Sequence, residues 1–405
     1  MTTVLLYWPS VRVAVTTPAA TPTATPTTAS TATATPRPSP SAVPSPVAAG
    51  GAKTTIANCL LPPLPGAFLG LDDRALYGPQ GASDQAQIIL FPPGRPARVL
   101  VKGLPPFSVG GIAASPDGRL VAFGRDQDRS PGNRDRPDNQ GLWVMQRDGS
   151  NPRRLLQVPP SPIGNFLAIG PLAWSSDGKT LAYSVQPLGS GTACSDPMAG
   201  GVWLSTVDYP QPRRLATAVQ LGTLQPPPPA SMGCPSAVSR LSWSPDGKVL
   251  VVSSARPKPN TGRPGDIEPV VLAVDAGSGA AQALVVGGTD AVFAPTADRL
   301  AYLTSVAPTG GTPAQFTLSV ADAQGKQARK LLTQEALIHQ SVWSPDGRFL
   351  AFVGNAAGLR QGWTLQVVDA GQGTLCTVMT AAQLQQSPFL AGGSLDSLAW
   401  APDAS

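Results

Sequence analysis

"LSWSPDGKVL", residues 241–250, sets a turn between two alternating apolar runs. Pro245 presets the backbone angle at the first turning position, and Asp246 and Gly247 suit a tight turn whose glycine takes the left-handed conformation. Leu241 and Trp243 alternate with polar neighbours before the turn, Val249 and Val251 after it, so the stretch predicts a β-hairpin. Nearly the same phrase returns as "IAASPDGRLVAF" (112–123), "LAWSSDGKTLAY" (172–183) and "SVWSPDGRFLAF" (341–352).

A second, weaker hairpin follows each copy: "GLWVMQRDGSNPRRLL" (141–156), "GVWLSTVDYPQPRRLA" (201–216), "PVVLAVDAGSGAAQALV" (269–285), "FTLSVADAQGKQARKLL" (316–332) and "WTLQVVDAGQGTLCTVM" (363–379). Two hairpins make a four-stranded unit. The residue before each first turn gives a marker, Ala114, Trp174, Trp243, Phe293, Trp343 and Trp400, at intervals of 60, 69, 50, 50 and 57. A degenerate earlier copy lies within 68–101. Four-stranded units at this spacing predict an all-β chain folded as a β-propeller of antiparallel blades. Paired hairpins at 67–101, 112–156, 172–216, 241–285, 292–332 and 342–380 give six blades. The phrase "LDSLAWAPD" (395–403) stops before a second strand, as a strand that closes the ring by completing the first blade would. Seven blades, the last truncated, is the alternative.

The composition agrees. Of 405 residues, 42% are hydrophobic and only 13% charged, about half the usual charged share, while 46 Pro and 42 Gly favour turns and short strands. The net charge of +5 is spread along the chain and implies no nucleic acid partner. Residues 1–15 contain the short apolar stretch "VLLYWPSVRVAV" (4–15), interrupted by Pro9 and Arg12, too short for a membrane span and without the parts of a secretory signal. Residues 16–52 are almost wholly Thr, Ala, Pro and Ser, with Arg37 the one charge. Such a segment cannot offset the entropy of ordering, and it predicts a disordered stalk of roughly 100 Å at full extension. The propeller then occupies 53–405, and a surface spacer implies a membrane or wall tether and an extracytoplasmic location.

The W-S-P-D-G-[KR] phrase, followed by a strand, a D-x-x-G turn and R-[RK]-L, resembles the WD-like repeats of TolB-type β-propellers over about residues 67–403. "VFAPTADRLAYL" (292–303) has lost the Pro-Asp-Gly order. The resemblance implies the fold, and implies an extracytoplasmic scaffold for protein contacts; similar propellers also sit beside peptidase domains.

Seven of the eight tryptophans hold repeat positions, which assigns them to packing between blades, and the turn aspartates Asp117, Asp177, Asp246 and Asp346 sit one to a blade, each satisfying its own turn. The basic pairs Arg153-Arg154, Arg213-Arg214 and Arg329-Lys330 open fourth strands, where charge discourages edge pairing. The insert "RDQDRSPGNRDRPDNQ" (125–140) begins like a calcium loop, but Pro131 and Pro137 stand where such a loop needs Gly and Glu. One histidine, no G-x-S-x-G elbow and no clustered Cys leave neither a triad nor a metal site nor a cofactor motif. A non-catalytic binder is the expectation; a channel-mouth hydrolase or lyase acting on glycan or peptide through paired carboxylates is the alternative.

The connections between second and third strands and between blades emerge on one face, and they are the long ones: 124–140, 157–171, 186–200, 217–239, 254–268 and 380–395. That face is the expected binding surface for a protein or cell-surface polymer. Its candidate residues are Arg129, Arg134, Asn165, Arg240, Asp290, His339, Gln340 and Asp396. Cys194 and Cys234 lie on two of these connections and Cys59 and Cys376 flank the seam, so 194–234 and 59–376 disulfides are expected, in a monomer.

Overall fold

The computed structural model describes residues 63–72, 86–92, 97–104, 111–125, 140–158, 167–187, 200–222, 238–258, 267–307, 314–335, 337–355, 364–380 and 395–403. All belong to Thr54–Ser405, one of two units into which the chain divides; segments 1–15 and 16–52 lie outside the described residues.

The described residues form 24 strands and no helix. The first blade takes β1 (Ala67–Asp72), β2 (Ala86–Phe91) and β3 (Arg98–Leu104), and the second takes β4 (Ile112–Ala114), β5 (Leu120–Arg125), β6 (Gly141–Gln146) and β7 (Arg153–Leu156). In the third are β8 (Leu167–Trp174), β9 (Thr180–Pro187), β10 (Gly201–Thr206) and β11 (Arg213–Ala216). The fourth holds β12 (Arg240–Trp243), β13 (Val249–Pro257), β14 (Ile267–Asp275) and β15 (Ala281–Val286). The fifth holds β16 (Gly288–Phe293), β17 (Arg299–Val306), β18 (Gln315–Asp322) and β19 (Arg329–Gln334). The sixth holds β20 (Leu337–Trp343), β21 (Phe349–Asn355), β22 (Thr364–Asp369) and β23 (Leu375–Met379). The last strand, β24 (Leu395–Ala401), pairs antiparallel with β1, Phe68 opposite Trp400 and Gly70 opposite Leu398, and so completes the first blade. The expected six-bladed ring is formed, and the orphan phrase is its clasp rather than a seventh blade.

The repeated turn explains itself in hydrogen bonds. In the fourth blade the Ser244 hydroxyl donates to Asp246 Oδ1 (2.7 Å) and accepts from the Val249 amide (3.0 Å), while the Lys248 amide donates to the same carboxylate (3.1 Å). Ser115, Ser175 and Ser344 repeat the arrangement with Asp117, Asp177 and Asp346. The turn glycines Gly118, Gly178, Gly247 and Gly347 all have φ of 69–70°, the left-handed region that a side chain would resist.

Because side chains alternate across a strand, each blade shows one apolar face to the blade before it and another to the blade after. Leu181, Tyr183 and Val185 of β9 pack toward the second blade, while Ala182 between them packs toward the fourth. Leu250 and Val252 face the third blade and Val251 the fifth. The result is six apolar clusters, one at each junction, including one across the seam where Phe68 and Trp400 lie 4.4 Å apart. The marker tryptophans bind these junctions together. Trp174 Nε1 donates to Ala113 O (3.1 Å), Trp243 Nε1 to Ala173 O (3.2 Å) and Trp343 Nε1 to Val292 O (3.0 Å), each on the preceding blade's innermost strand. Each indole thus satisfies its one donor, with the rings of Trp174 and Trp343 buried and that of Trp243 partly so.

Two expectations change here. The innermost strands of the third, fifth and sixth blades begin at Leu167, Gly288 and Leu337, several residues before the predicted starts. A bulge sits in each, at Gly170-Pro171, Asp290-Ala291 and Gln340-Ser341, where two residues face one and break the alternation that marks a strand. The supposed connection 157–171 therefore ends in strand, and 254–268 shortens to 258–266 between β13 and β14. The basic pairs also do more than guard edges. Arg213 donates to Ala276 O (3.0 Å) and Arg329 to Ala370 O, in both cases a turn of the next blade, and Arg214 lies over its cross-strand partner Trp203, 5.3 Å from the ring centroid.

Candidate functional site

The six innermost strands, β24, β4, β8, β12, β16 and β20, enclose an axial cavity of about 310 Å³. Its wall is built from one repeat position, the residue before each marker: Ala113, Ala173, Ser242, Val292, Val342 and Ala399. All are small or β-branched, so the channel stays open. Two residues after the markers, the first turns contribute Pro116, Ser176, Pro245, Pro295, Pro345 and Pro402, a nearly all-proline collar at the tight-turn end.

The opposite end is where the innermost strands begin and the long connections arise. Three residues before the markers stand Gly111, Pro171, Arg240, Asp290, Gln340 and Ser397, one from each blade. Small residues therefore occupy the arc over the second and third blades, and polar ones the arc from the fourth round to the first. Arg240 is held there by groups from two other blades. Its Nη1 donates to Gln340 Oε1 (2.7 Å), its Nη2 to Ser341 O (2.8 Å), and its Nε lies 3.7 Å from Asp290 Oδ1. Asp290 Oδ2 accepts from the Ser341 amide (2.6 Å) and hydroxyl (2.7 Å). The bulges make this reach possible: Asp290 has φ 49° and Gln340 φ 57°, left-handed conformations that turn both side chains out of the strand alternation. The side chains of Arg240 and Asp290 are only 14% and 12% exposed, so the pair is taken out of water and depends on these bonds.

Burial pushes the Asp290 carboxyl above the usual carboxylate range, against the opposing pull of Arg240 and the two Ser341 donors. His339, next in sequence to Gln340, is moved the other way: burial, then the nearby Arg240 charge, lowers it to about 4, so its imidazole is neutral at ordinary pH. The mouth therefore carries one compensated guanidinium–carboxylate pair and a neutral imidazole. Among the described residues of the mouth, these groups can present hydrogen-bonding edges to a ligand.

Four of the eight candidate residues are thus brought to one end of the channel: Arg240 as the partner of Asp290 and Gln340, and His339 within reach of the Arg240 charge. Asp396 lies in β24 beside a register shift in its pairing with β1; its side chain, together with Arg129, Arg134 and Asn165, lies outside the described residues. Ser341 and the proline collar were missed by sequence reasoning. Counting back three and forward two residues from each marker would have found the ring and the collar. Among the described residues no three His, Cys, Asp or Glu side chains come together to hold a metal ion, and no helix is long and apolar enough to cross a membrane. Cys376, buried in β23, is disulfide-bonded; Cys59, Cys194 and Cys234 lie outside the described residues.

No protein-family model matches the sequence, and no curated protein matches it. Solved structures do match. A TolB from Acinetobacter baumannii shares 13% identity over 84% of this chain and 67% of its own, with a TM-score of 0.54. A putative TolB from Agrobacterium tumefaciens shares 14% over 84% and 95%, at 0.49, and an oligogalacturonate lyase from Vibrio parahaemolyticus 11% over 78% and 74%, at 0.42. In fold the chain is a six-bladed β-propeller. More particularly, it folds as a TolB-type β-propeller.

Proposed function

We propose that the chain is a non-catalytic, extracytoplasmic binding module that recognises a protein or surface polymer on the face where the channel mouth and the long connections meet, tethered through its stalk. The observation that carries this reading is the polar arc itself. Side chains from three blades are committed to a fixed, mutually satisfied frame around an open channel, which suits a recognition surface. Catalysis by paired carboxylates would need two of them facing each other across a substrate. Asp290 is the one carboxylate among the described residues of the arc, and its oxygens are taken by Ser341 and Arg240.

The test is affinity capture from an envelope extract of the source cell with the full chain, beside the Arg240→Gln variant. Retention of one protein or polymer by the parent and at least tenfold less by the variant, with both equally folded, is expected. Equal retention would move the binding surface elsewhere. Release of new reducing ends or new amines from glycan or peptide mixtures by the parent, reduced in Asp290→Asn, would overturn the non-catalytic reading.

A further inference from the structure

The sequence holds five Asp-Gly pairs, at 117–118, 148–149, 177–178, 246–247 and 346–347, and each stands in a turn. Glycine leaves its amide nitrogen unhindered by a side chain, so this is the pair at which a backbone nitrogen most readily attacks the preceding carboxyl. In all five the glycine amide donates to the carbonyl three residues before it, at 2.8–2.9 Å, so the turn must open before that attack. Opening is not equally costly. Asp117, Asp177, Asp246 and Asp346 are held by the hydroxyls of serines no more than 6% exposed. Each of those hydroxyls also accepts from the first amide of the following strand, so these turns open only with the blade. Asp148 is exposed, and what holds it is exposed too: the Ser150 amide (2.8 Å) and hydroxyl (2.6 Å).

We propose that Asp148–Gly149 is this chain's site of spontaneous isoaspartate formation, and that the change loosens the clasp of the ring. Gly149 N gives its proton to solvent and bonds to Asp148 Cγ, the carboxyl hydroxyl leaves as water, and a succinimide closes. Water then adds to the main-chain carbonyl carbon of Asp148 and breaks its bond to Gly149 N, which regains a proton. The chain now runs on through Cβ and Cγ, and the α-carboxylate hangs free. The added backbone carbon falls beside Arg147, whose Nη1 donates to Pro402 O and whose Nη2 lies 4.0 Å from Asp403 Oδ1, just past β24. Asp403 Oδ2 in turn accepts from the Gly66 amide ahead of β1 (3.2 Å). Isomerisation therefore shifts Arg147 and weakens its hold on the end of β24.

The test is to hold the folded full chain at about pH 5 and about 37 °C, where part of the carboxyl is protonated and its hydroxyl can leave, and to follow each Asp-Gly peptide by chromatography and mass. Asp148 is expected to convert at least about tenfold faster than the other four, and in the urea-unfolded chain all five are expected to convert within a few-fold of one another. Ser244→Ala is expected to bring Asp246 up to the rate of Asp148; Ser175→Ala and Asp177 replace that pair if the variant misfolds. In the aged parent the amides of β24 should exchange at least about tenfold faster than in fresh protein, and in aged Asp148→Ser they should not. Like rates in the folded chain, a bias that survives unfolding, an aspartate rate untouched by loss of its serine, or conversion at Asp148 that leaves β24 exchange unchanged would each overturn the proposal.

Discussion

Ser344 shows how much of this molecule rests on one hydroxyl. It is fully buried and accepts from the Phe349 amide at 2.8 Å while donating to Asp346, so it serves the turn and the start of β21 together. Ser344→Ala leaves a buried amide unsatisfied and is expected to cost about 1–3 kcal/mol, read from denaturant unfolding. A loss below a few tenths would show the amide to be satisfied some other way. His339 makes a pH prediction at the same scale. Its folded-state pKa of about 4 lies below the ordinary 6.5, so the unfolded chain takes up a proton first. Its contribution is complete above pH 6.5 and is lost as pH falls toward 4, about 3 kcal/mol in all. Comparing the parent with His339→Gln across that window should show the parent's stability falling more steeply with acid; parallel curves would contradict the burial of a neutral imidazole.

The strands were legible because they alternate and because Ser-Pro-Asp-Gly is turn chemistry that few other conformations accept. The bulges were not. Gly170-Pro171, Asp290-Ala291 and Gln340-Ser341 each add a residue whose effect is to break the alternation that defines a strand, so sequence reasoning began those strands late. The site was half legible for the same reason: Arg240, Asp290, His339 and Gln340 stood out as polar residues beside long connections, but their mutual contact depends on left-handed bulge geometry and on carbonyls of other blades. Arg213 and Arg329 were read as edge charges because their acceptors, Ala276 O and Ala370 O, are backbone atoms that carry no sequence signal. Closure of the first blade imposes its own demand. Gly66 precedes β1 with φ 79°, and a Cβ there would stand 2.0 Å from Ala401 O of β24. Gly66→Ala is expected to cost upward of about 3 kcal/mol, against about 1–2 for Gly222→Ala, where a φ of 67° still resists a side chain but nothing lies within 4 Å. Equal costs would mean that the two strands do not approach as described.

At the scale of the whole molecule the ring has no separate central core. Its stability is the sum of six junctions, each built from faces that neighbouring blades expose to one another, so every blade depends on two others. Cys376, in the outer strand of the last blade, is placed to strengthen the seam, and we propose Cys59 as its partner. Peptide mapping without reduction should yield a linked pair containing both cysteines; Cys376 joined to Cys194 or Cys234 would contradict the pairing. The central claim is that the far end of the chain closes this ring as the innermost strand of the first blade. Native-state amide hydrogen exchange tests it most directly. If β24 is part of the ring, the amides of β1 and β24 should exchange with the same free energy and denaturant dependence as those of β9 and β13. Exchange of β24 through local opening, orders of magnitude faster and insensitive to denaturant, while the other blades stay protected, would show an open ring with a loose end.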